Sequence, residues 1–133
     1  MLSELAAHVA PGVSTGELDV LAEKRILQAG ATPAFKGYHG YPAAICTSIN
    51  DEVIHGIPSG RRPLQEGDVI SIDVGVLLHG YFGDSAITLP VGPVSGGGCH
   101  VVASDRGSLY KAIGTHAAGQ AGSPTSATPC SNT

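Results

Sequence analysis

Two aspartates stand in the hydrophobic stretch VISIDVGVLLHGYFGDSAITL, residues 69–89, where packing alone would favour apolar side chains. Asp73 lies between Ile72 and Val74, and Asp84 follows beyond a His-Gly pair. A carboxylate buried among such neighbours is costly unless a partner compensates its charge. Oxygen ligands of this kind suit divalent cations such as manganese, iron, cobalt or magnesium, so the stretch predicts a metal site.

The spacing of the two aspartates decides whether they can share an ion. If His79-Gly80 is a two-residue hairpin turn, Asp73 lies opposite Ala86. Asp84 then shares the face of Asp73, because strand side chains alternate with a period of two. Diagonal neighbours of this type lie roughly 7–8 Å apart, so their carboxylates can converge on one ion or bridge two ions about 3.5–4 Å apart. The alternative is a pair of solvated aspartates at a sheet edge.

The segment before these strands carries the signals of an amphipathic helix. Ser14-Thr15-Gly16-Glu17 fits the capping box, in which side chains satisfy the first backbone donors of a helix. Gly30 is a residue type that commonly ends one. The pattern therefore predicts a helix over 15–29 with an apolar stripe, whose members are Leu18, Leu21, Ala22, Ile26 and Leu27.

The other predicted elements are short. Apolar and β-branched runs predict strands at 44–49, 69–78 and 81–89, and a short extended piece at 53–55. Short helices are predicted at 2–9 and 107–114, with a loop over 58–67.

Composition excludes several classes of protein. The chain has 133 residues, of which 42% are hydrophobic and 14% charged, as in a single globular domain. Its net charge of −4, with no basic run beyond Arg61-Arg62, argues against a nucleic-acid surface. No apolar run approaches the roughly 20 residues that a membrane span needs, and the first residues lack a secretory signal pattern. The three cysteines show no CxxC spacing, so we expect a soluble, cytoplasmic protein.

The pattern changes near residue 96. From there Gly, Ala, Ser and Thr dominate, and the last residues read as a flexible, low-complexity tail. We therefore expect two regions, a patterned one over 1–95 and a degraded or frameshifted tail over 96–133. Cys99, Cys130, His100 and His116 lie in that tail and match no functional pattern.

Three longer phrases carry a family resemblance. They are VAPGVSTGELDVLAEKRILQAGATPAF, YHGYPAAICTSINDEVIHGIP and GDVISIDVGVLLHGYFGDSAITLPVG. In this order they closely resemble the N-terminal half of type I methionine aminopeptidase, a metallopeptidase family with the pita-bread fold of creatinases and aminopeptidases. The resemblance runs from about residue 4 to 94. It implies an α+β fold, half of a pita-bread architecture, in which an antiparallel sheet has helices on one face.

The resemblance implies a role for each matching residue. Asp73 and Asp84 match the aspartates that hold two divalent ions, which are cobalt, manganese, iron or zinc in the family. His55 in IHGIP matches a catalytic histidine that also contacts substrate. Tyr38, His39, Tyr41 and Cys46 match residues in or beside the pocket for the methionine side chain. Asn50 matches a residue whose backbone carbonyl helps hold a monovalent cation.

Each of these residues also has an ordinary structural interpretation. His55 alone could be a loop histidine, Tyr38 and Tyr41 could be packing aromatics, and Cys46 could be a small buried hydrophobe. The order of the motifs, rather than any single residue, favours the functional interpretation.

The implied function is removal of the initiator methionine from nascent proteins by metal-assisted amide hydrolysis. The implied partners are peptide N-termini that begin with Met, and the ribosome. The family's five metal ligands include a later histidine and two glutamates, yet no glutamate follows Asp84. The start also resembles a clipped first helix, so we expect a truncated, inactive fragment that lacks the third to fifth ligands.

Two other functions stay open. A non-catalytic member of the fold that binds peptides or partner proteins would explain the missing ligands, although it would not need the pocket residues. The second alternative is a related hydrolase of the same fold that acts on proline-containing substrates or creatine. The YHGYP and IHGIP phrases favour the methionine enzyme over this alternative.

Overall fold

The computed structural model describes residues 1–94 together with positions 102 and 104. Two helices come first, α1 (Leu2–His8) and α2 (Thr15–Gln28). Four strands follow, with a 3₁₀ turn (Tyr38–Gly40) between the first two: β1 (Thr32–Pro33), β2 (Ile45–Ile49), β3 (Val69–Leu78) and β4 (Tyr81–Pro90). None of the helices in this described part is long and apolar enough to cross a membrane.

Strand β3 is the centre of an antiparallel sheet. It pairs with β4 along one side, and with β2 and the short β1 along the other. The turn between β3 and β4 is His79-Gly80, with φ of 51° and 84°. Positive φ at both residues is what a two-residue turn of type I′ requires, and it matches the right-handed twist of the strands. The predicted register is confirmed, with Leu78 opposite Tyr81 and Asp73 opposite Ala86.

The alternation of side chains gives this sheet two unlike faces. One face carries Ile45, Ile49, Ile70, Ile72 and Val74, which pack with the helices in a single hydrophobic core. The helical members of that core are Leu5, Leu18, Ala22 and Ile26. The opposite face carries polar side chains, among them Cys46, Ser71, Asp73, Asp84 and Thr88. We call this second surface the polar face. The carboxylates of Asp73 and Asp84 therefore lie on the side of the sheet opposite the hydrophobic core.

The predicted capping box and helix over 15–29 are confirmed. The Ser14 hydroxyl accepts a hydrogen bond from the Glu17 amide at 3.2 Å, and the Glu17 carboxylate accepts one from the Ser14 amide at 2.7 Å. Gly30, just past the helix, has a φ of 73°, as a helix-ending glycine should. The predicted stripe is wrong at Leu27, which is 56% exposed. The row of residues spaced by four, which starts at Leu18, is the one that faces the sheet.

Other predicted elements differ from the structure or lie outside it. The short helix predicted at 2–9 and the strands predicted at 44–49, 69–78 and 81–89 are present within a residue or two of those bounds. The extended piece at 53–55 is not a strand; Val53 is 89% exposed and His55 has a φ of 58°, because the chain bends there. Neither β1 nor the 3₁₀ turn was predicted from the sequence. The helix at 107–114 and the tail residues after 96 with their histidines and cysteines lie outside the described residues, apart from positions 102 and 104.

Candidate metal centre and adjoining pocket

The hairpin brings Asp73 and Asp84 together on the polar face. Asp73 opposes Ala86 and Asp84 opposes Gly75, so the two aspartates are diagonal neighbours. Their carboxyl groups lie close enough for Asp84 to affect the pKa of Asp73. Burial raises the pKa of Asp73, and the adjacent Asp84 carboxyl raises it further. Two like charges are therefore held close together, with Asp73 half-buried and Asp84 exposed, which costs free energy unless a cation or proton compensates them.

The closeness of the two carboxylates shows that a divalent cation would suit this place. The donors are all oxygen, a bound cation would remove the repulsion, and the separation suits one shared ion or a bridged pair. Within the part of the chain that the structure describes, no group of three or more His, Cys, Asp or Glu is placed to hold a metal. Asp73 and Asp84 are therefore a pair of candidate ligands, and metal binding by them stays a prediction.

Cys46 lies beside the carboxylates at the start of the neighbouring strand. It opposes Asp73 across β2 and β3, and it is 6% exposed. Burial raises the pKa of its thiol, and the negative charges of Asp73 and Asp84 act in the same direction, although a hydrogen bond with Tyr41 opposes them. The thiol is consequently neutral at physiological pH, so it behaves as a small, polarisable, apolar surface.

Tyr41 links three segments around Cys46. Its hydroxyl shares its one proton between the carbonyl oxygens of Ile45 and Gly56, each of which lies 3.1 Å away. Burial raises the pKa of Tyr41 above its usual range, with a further contribution from Cys46. The phenol therefore stays protonated and keeps both hydrogen bonds at any physiological pH. Tyr41 and Cys46 are predicted pocket residues that lie close enough together for each to affect the pKa of the other.

Tyr38 and His39 lie on the 3₁₀ turn and face outward. Tyr38 is 70% exposed, and its ring meets the His39 ring edge to face with centroids 4.4 Å apart. His39 adopts a φ of 47°, which is uncommon for a residue other than glycine. The two rings form an exposed aromatic pair next in sequence to Tyr41, and their contact with a substrate stays a prediction.

His55 is carried by the loop that follows β2. The next residue, Gly56, fastens this loop to β2, because its carbonyl accepts from the Thr47 amide at 2.9 Å and its amide donates to the Ser48 hydroxyl at 3.2 Å. A Cβ on Gly56 would collide with the Thr47 carbonyl. His55 is exposed, and it lies close enough to Asp73 to oppose in part the effects of burial and Asp84, which raise the pKa of that carboxyl. The structure thus places His55 within electrostatic reach of the candidate metal ligands.

Asn50 joins the end of β2 to the start of β3. Its backbone amide donates to the Val69 carbonyl at 2.9 Å, and its side chain bonds both the Val69 amide and the Asp68 carboxylate. Its φ of 56° turns the chain away from the strand. Since the side chain is committed to these bonds, only the backbone carbonyl matches the predicted cation contact, and that role stays a prediction.

Phe35 is a residue of this region that sequence reasoning missed. A Cβ on Gly75 would lie 2.9 Å from two ring carbons of Phe35, so the ring rests on the glycine. Gly75 is directly opposite Asp84, which places the Phe35 ring on the polar face beside the carboxylates. A glycine inside a strand often marks the close approach of another group. The glycine in IDVG was therefore the available signal, although it does not say which side chain approaches.

Comparison with known protein families identifies the class of protein to which the chain belongs. The profile of Metallopeptidase family M24 matches residues 1–112, and the chain belongs to that family. Among its relatives, it is 51% identical over 110 residues to methionine aminopeptidase 1 of Bacillus subtilis, covering 83% of this chain and 44% of that protein. It is 55% identical over 94 residues to methionine aminopeptidase 1 of Mycobacterium tuberculosis, covering 71% of this chain and 35% of the relative.

Solved structures give the same answer. The crystal structures of methionine aminopeptidase from Rickettsia prowazekii and from Thermotoga maritima superpose with TM-scores of 0.81 and 0.82, each at 38% identity. Each match covers 84% of this chain and 45% of the other. The predicted resemblance and the partial pita-bread fold are thereby confirmed. The chain spans less than half the length of these relatives.

Proposed function

We propose that this chain carries the metal-binding carboxylates and the methionine pocket of an aminopeptidase that removes the initiator methionine from nascent proteins. The observation that carries the proposal is the convergence of Asp73 and Asp84 on the polar face, beside Cys46. The names of the relatives support the same activity. The expected substrates are peptide and nascent-protein N-termini that begin with Met, encountered in the cytoplasm and at the ribosome.

Asp73 and Asp84 are the residues that would hold the metal. Two divalent ions of cobalt, manganese, iron or zinc would supply water activation and polarisation of the scissile carbonyl. The two carboxylates would contribute the negative charge and the oxygen donors that favour a divalent cation. His55, which lies on the loop beside the carboxylates, would donate a hydrogen bond to the carbonyl oxygen as negative charge develops there.

The pocket is proposed to form around Cys46 and Tyr41. A neutral thiol and aromatic rings suit a thioether side chain, since sulfur–aromatic contacts are favourable. Tyr38 and His39 would close the pocket from the exposed 3₁₀ turn. Asn50 would contribute its backbone carbonyl to a monovalent cation that holds the ends of β2 and β3 together.

Binding of manganese and cobalt by calorimetry tests the metal assignment directly. Asp73→Asn and Asp84→Asn should each abolish the binding seen in the unaltered chain, because each removes one of two anionic ligands. Asp51→Asn is the matched control, since Asp51 is an exposed aspartate on the loop beside β2. Binding that persists unchanged in both site variants would refute the assignment.

A second function is favoured by one observation. Among the described residues no group of three or more His, Cys, Asp or Glu is placed to hold a metal, whereas a catalytic zinc site typically has three protein ligands. Peptide binding without hydrolysis is therefore the alternative. Incubation of the manganese-loaded chain with a Met-Ala-Ser peptide separates the two: released methionine supports the aminopeptidase, and binding of the peptide without release supports the binding protein. From two ligands alone we expect weak ion binding and slow turnover, so methionine release is measured against that of the Asp73→Asn variant, and only release above that level supports the aminopeptidase.

A further inference from the structure

Asp19 lies on helix α2 and reaches across to the start of strand β2. Its Oδ1 accepts hydrogen bonds from two successive backbone amides, those of Ala44 at 2.8 Å and Ile45 at 3.1 Å. Bonds from amide donors to a charged carboxylate are among the stronger hydrogen bonds in proteins. One carboxylate oxygen of the helix therefore holds the point where the chain enters β2, in addition to the pairing of Ile45 with Val74 in the sheet.

The backbone that Asp19 holds belongs to the proposed pocket. The Ile45 carbonyl accepts the hydrogen bond of the Tyr41 hydroxyl, and the next residue is Cys46. The same hydroxyl bonds Gly56, which follows His55. A shift of Ile45 would consequently move Cys46, release one bond of Tyr41 and loosen the loop that carries His55.

Asp19 contributes little to the core of the protein. The helix is packed against the sheet by Leu18, Ala22 and Ile26, each no more than 1% exposed, whereas Asp19 is half-buried. Burial is the largest cause of the raised pKa of Tyr41, followed by Cys46 and then the charge of Asp19. Burial is also the largest cause of the raised pKa of Cys46, where Asp73, Asp84 and lastly Asp19 act in the same direction, which agrees with the proximity of Asp19. Removal of Asp19 should therefore disturb the pocket more than the fold.

We propose that Asp19 is a positioning residue, which holds Ala44 and Ile45 so that Tyr41 and Cys46 stand beside the metal-binding carboxylates. The description of these residues as a pocket rests on the proposed function. The structural statement, that Asp19 sets the entry of β2, does not.

The reactivity of Cys46 measures this positioning. In a background of Cys99→Ser and Cys130→Ser, Cys46 is the remaining thiol, and its reaction with a maleimide reports how often the entry of β2 opens. Asp19→Ala should speed the reaction by about tenfold or more, because two charge-assisted hydrogen bonds are lost. Asp19→Asn should react close to the unaltered rate, since its side-chain oxygen still accepts both bonds. Asp51→Ala is the control for loss of a negative charge.

Urea unfolding and amide hydrogen exchange separate local from global effects. The urea midpoint of Asp19→Ala should fall only slightly. Global unfolding would then be too rare to account for the faster reaction of the Cys46 thiol. In the unaltered chain, the amides of Ala44 and Ile45 should exchange as slowly as those of β3, a measurement that needs no variant to fold.

Three results would overturn the proposal. They are unprotected amides at Ala44 and Ile45, an unchanged thiol rate in Asp19→Ala, and an equal acceleration in Asp19→Asn. Titration with free L-methionine then tests the pocket itself. Weaker binding in Asp19→Ala but not in Asp19→Asn supports both proposals. If the unaltered chain does not bind methionine while the thiol rates follow the expected order, the pocket assignment fails and the positioning role of Asp19 stands.

Discussion

Substitution of Gly75 by alanine tests the contact that places an aromatic ring on the polar face. The added Cβ would lie 2.9 Å from Cδ1 and Cζ of Phe35, and closer still to a third ring carbon. Ordinary carbon–carbon contact requires the ring to retreat by roughly 1 Å. The ring has little freedom to do so, because the neighbouring Ala34 amide is bonded to the Gly75 carbonyl at 2.9 Å.

The net effect follows from two opposing contributions. Overpacking of this kind costs about 1–3 kcal/mol. Replacement of glycine by alanine in an unstrained backbone stabilises a protein by about 0.4–1 kcal/mol, through the unfolded state. Gly75→Ala should therefore lower the free energy of unfolding by about 1–2 kcal/mol, measured by urea denaturation.

A double-mutant cycle identifies the ring as the cause. In a Phe35→Ala background the obstacle is gone, so Gly75→Ala should be neutral or stabilising, with a coupling free energy of about 2 kcal/mol. Gly83→Ala is the matched control, because its Cβ would meet only a Val76 methyl carbon at 3.4 Å. It should not destabilise the protein. If Gly75→Ala costs the same with and without Phe35, the ring does not lie on the glycine and our account of this face is wrong.

Three further predictions concern the helix cap, the loop that carries His55 and the pH dependence of stability. Ser14→Ala removes the capping box and should lower the urea-derived free energy of unfolding by about 1 kcal/mol, whereas an unchanged midpoint would contradict the cap. Gly56→Ala would force a Cβ into the Thr47 carbonyl and should cost more than about 2 kcal/mol; a silent substitution would show that the loop does not contact β2 there. The hydrogen bond from Arg62 is the largest cause that lowers the pKa of Glu52, followed by the bond from the Ile49 amide. Glu52 therefore stabilises the fold above its ordinary pKa near 4.5 and loses that contribution as the pH falls through the lower folded-state value, so Glu52→Gln should flatten the acid limb of stability against pH.

Local signals predicted several elements well because each depends on residues close together in the chain. The two-residue turn at His79-Gly80 sets the register of the hairpin, and period-two alternation then places Asp73 and Asp84 on one face. Ser14 and Glu17, three positions apart, define the start of α2 in the same local way. The candidate metal ligands could thus be paired correctly without any tertiary information.

Other features were decided by contacts between distant segments. The apolar residues next to His55 predict an extended segment, but the hydrogen bonds between Gly56 and β2 bend the loop instead. Leu27 matches the helical stripe, yet the direction from which the sheet packs leaves it exposed. Periodicity describes which residues share a face, and it says nothing about which other element arrives there.

The sequence by itself determined the family, the hairpin and the facing carboxylates, since these depend on motif order and on short-range geometry. Only the tertiary structure decided how the surroundings of the site are built. The bond of Tyr41 to Gly56, the contact of the Phe35 ring with Gly75 and the bonds of Asp19 to Ala44 and Ile45 each join segments that are not adjacent in the chain. Such contacts depend on how the helices, loops and strands pack against one another, and local propensities do not encode that packing.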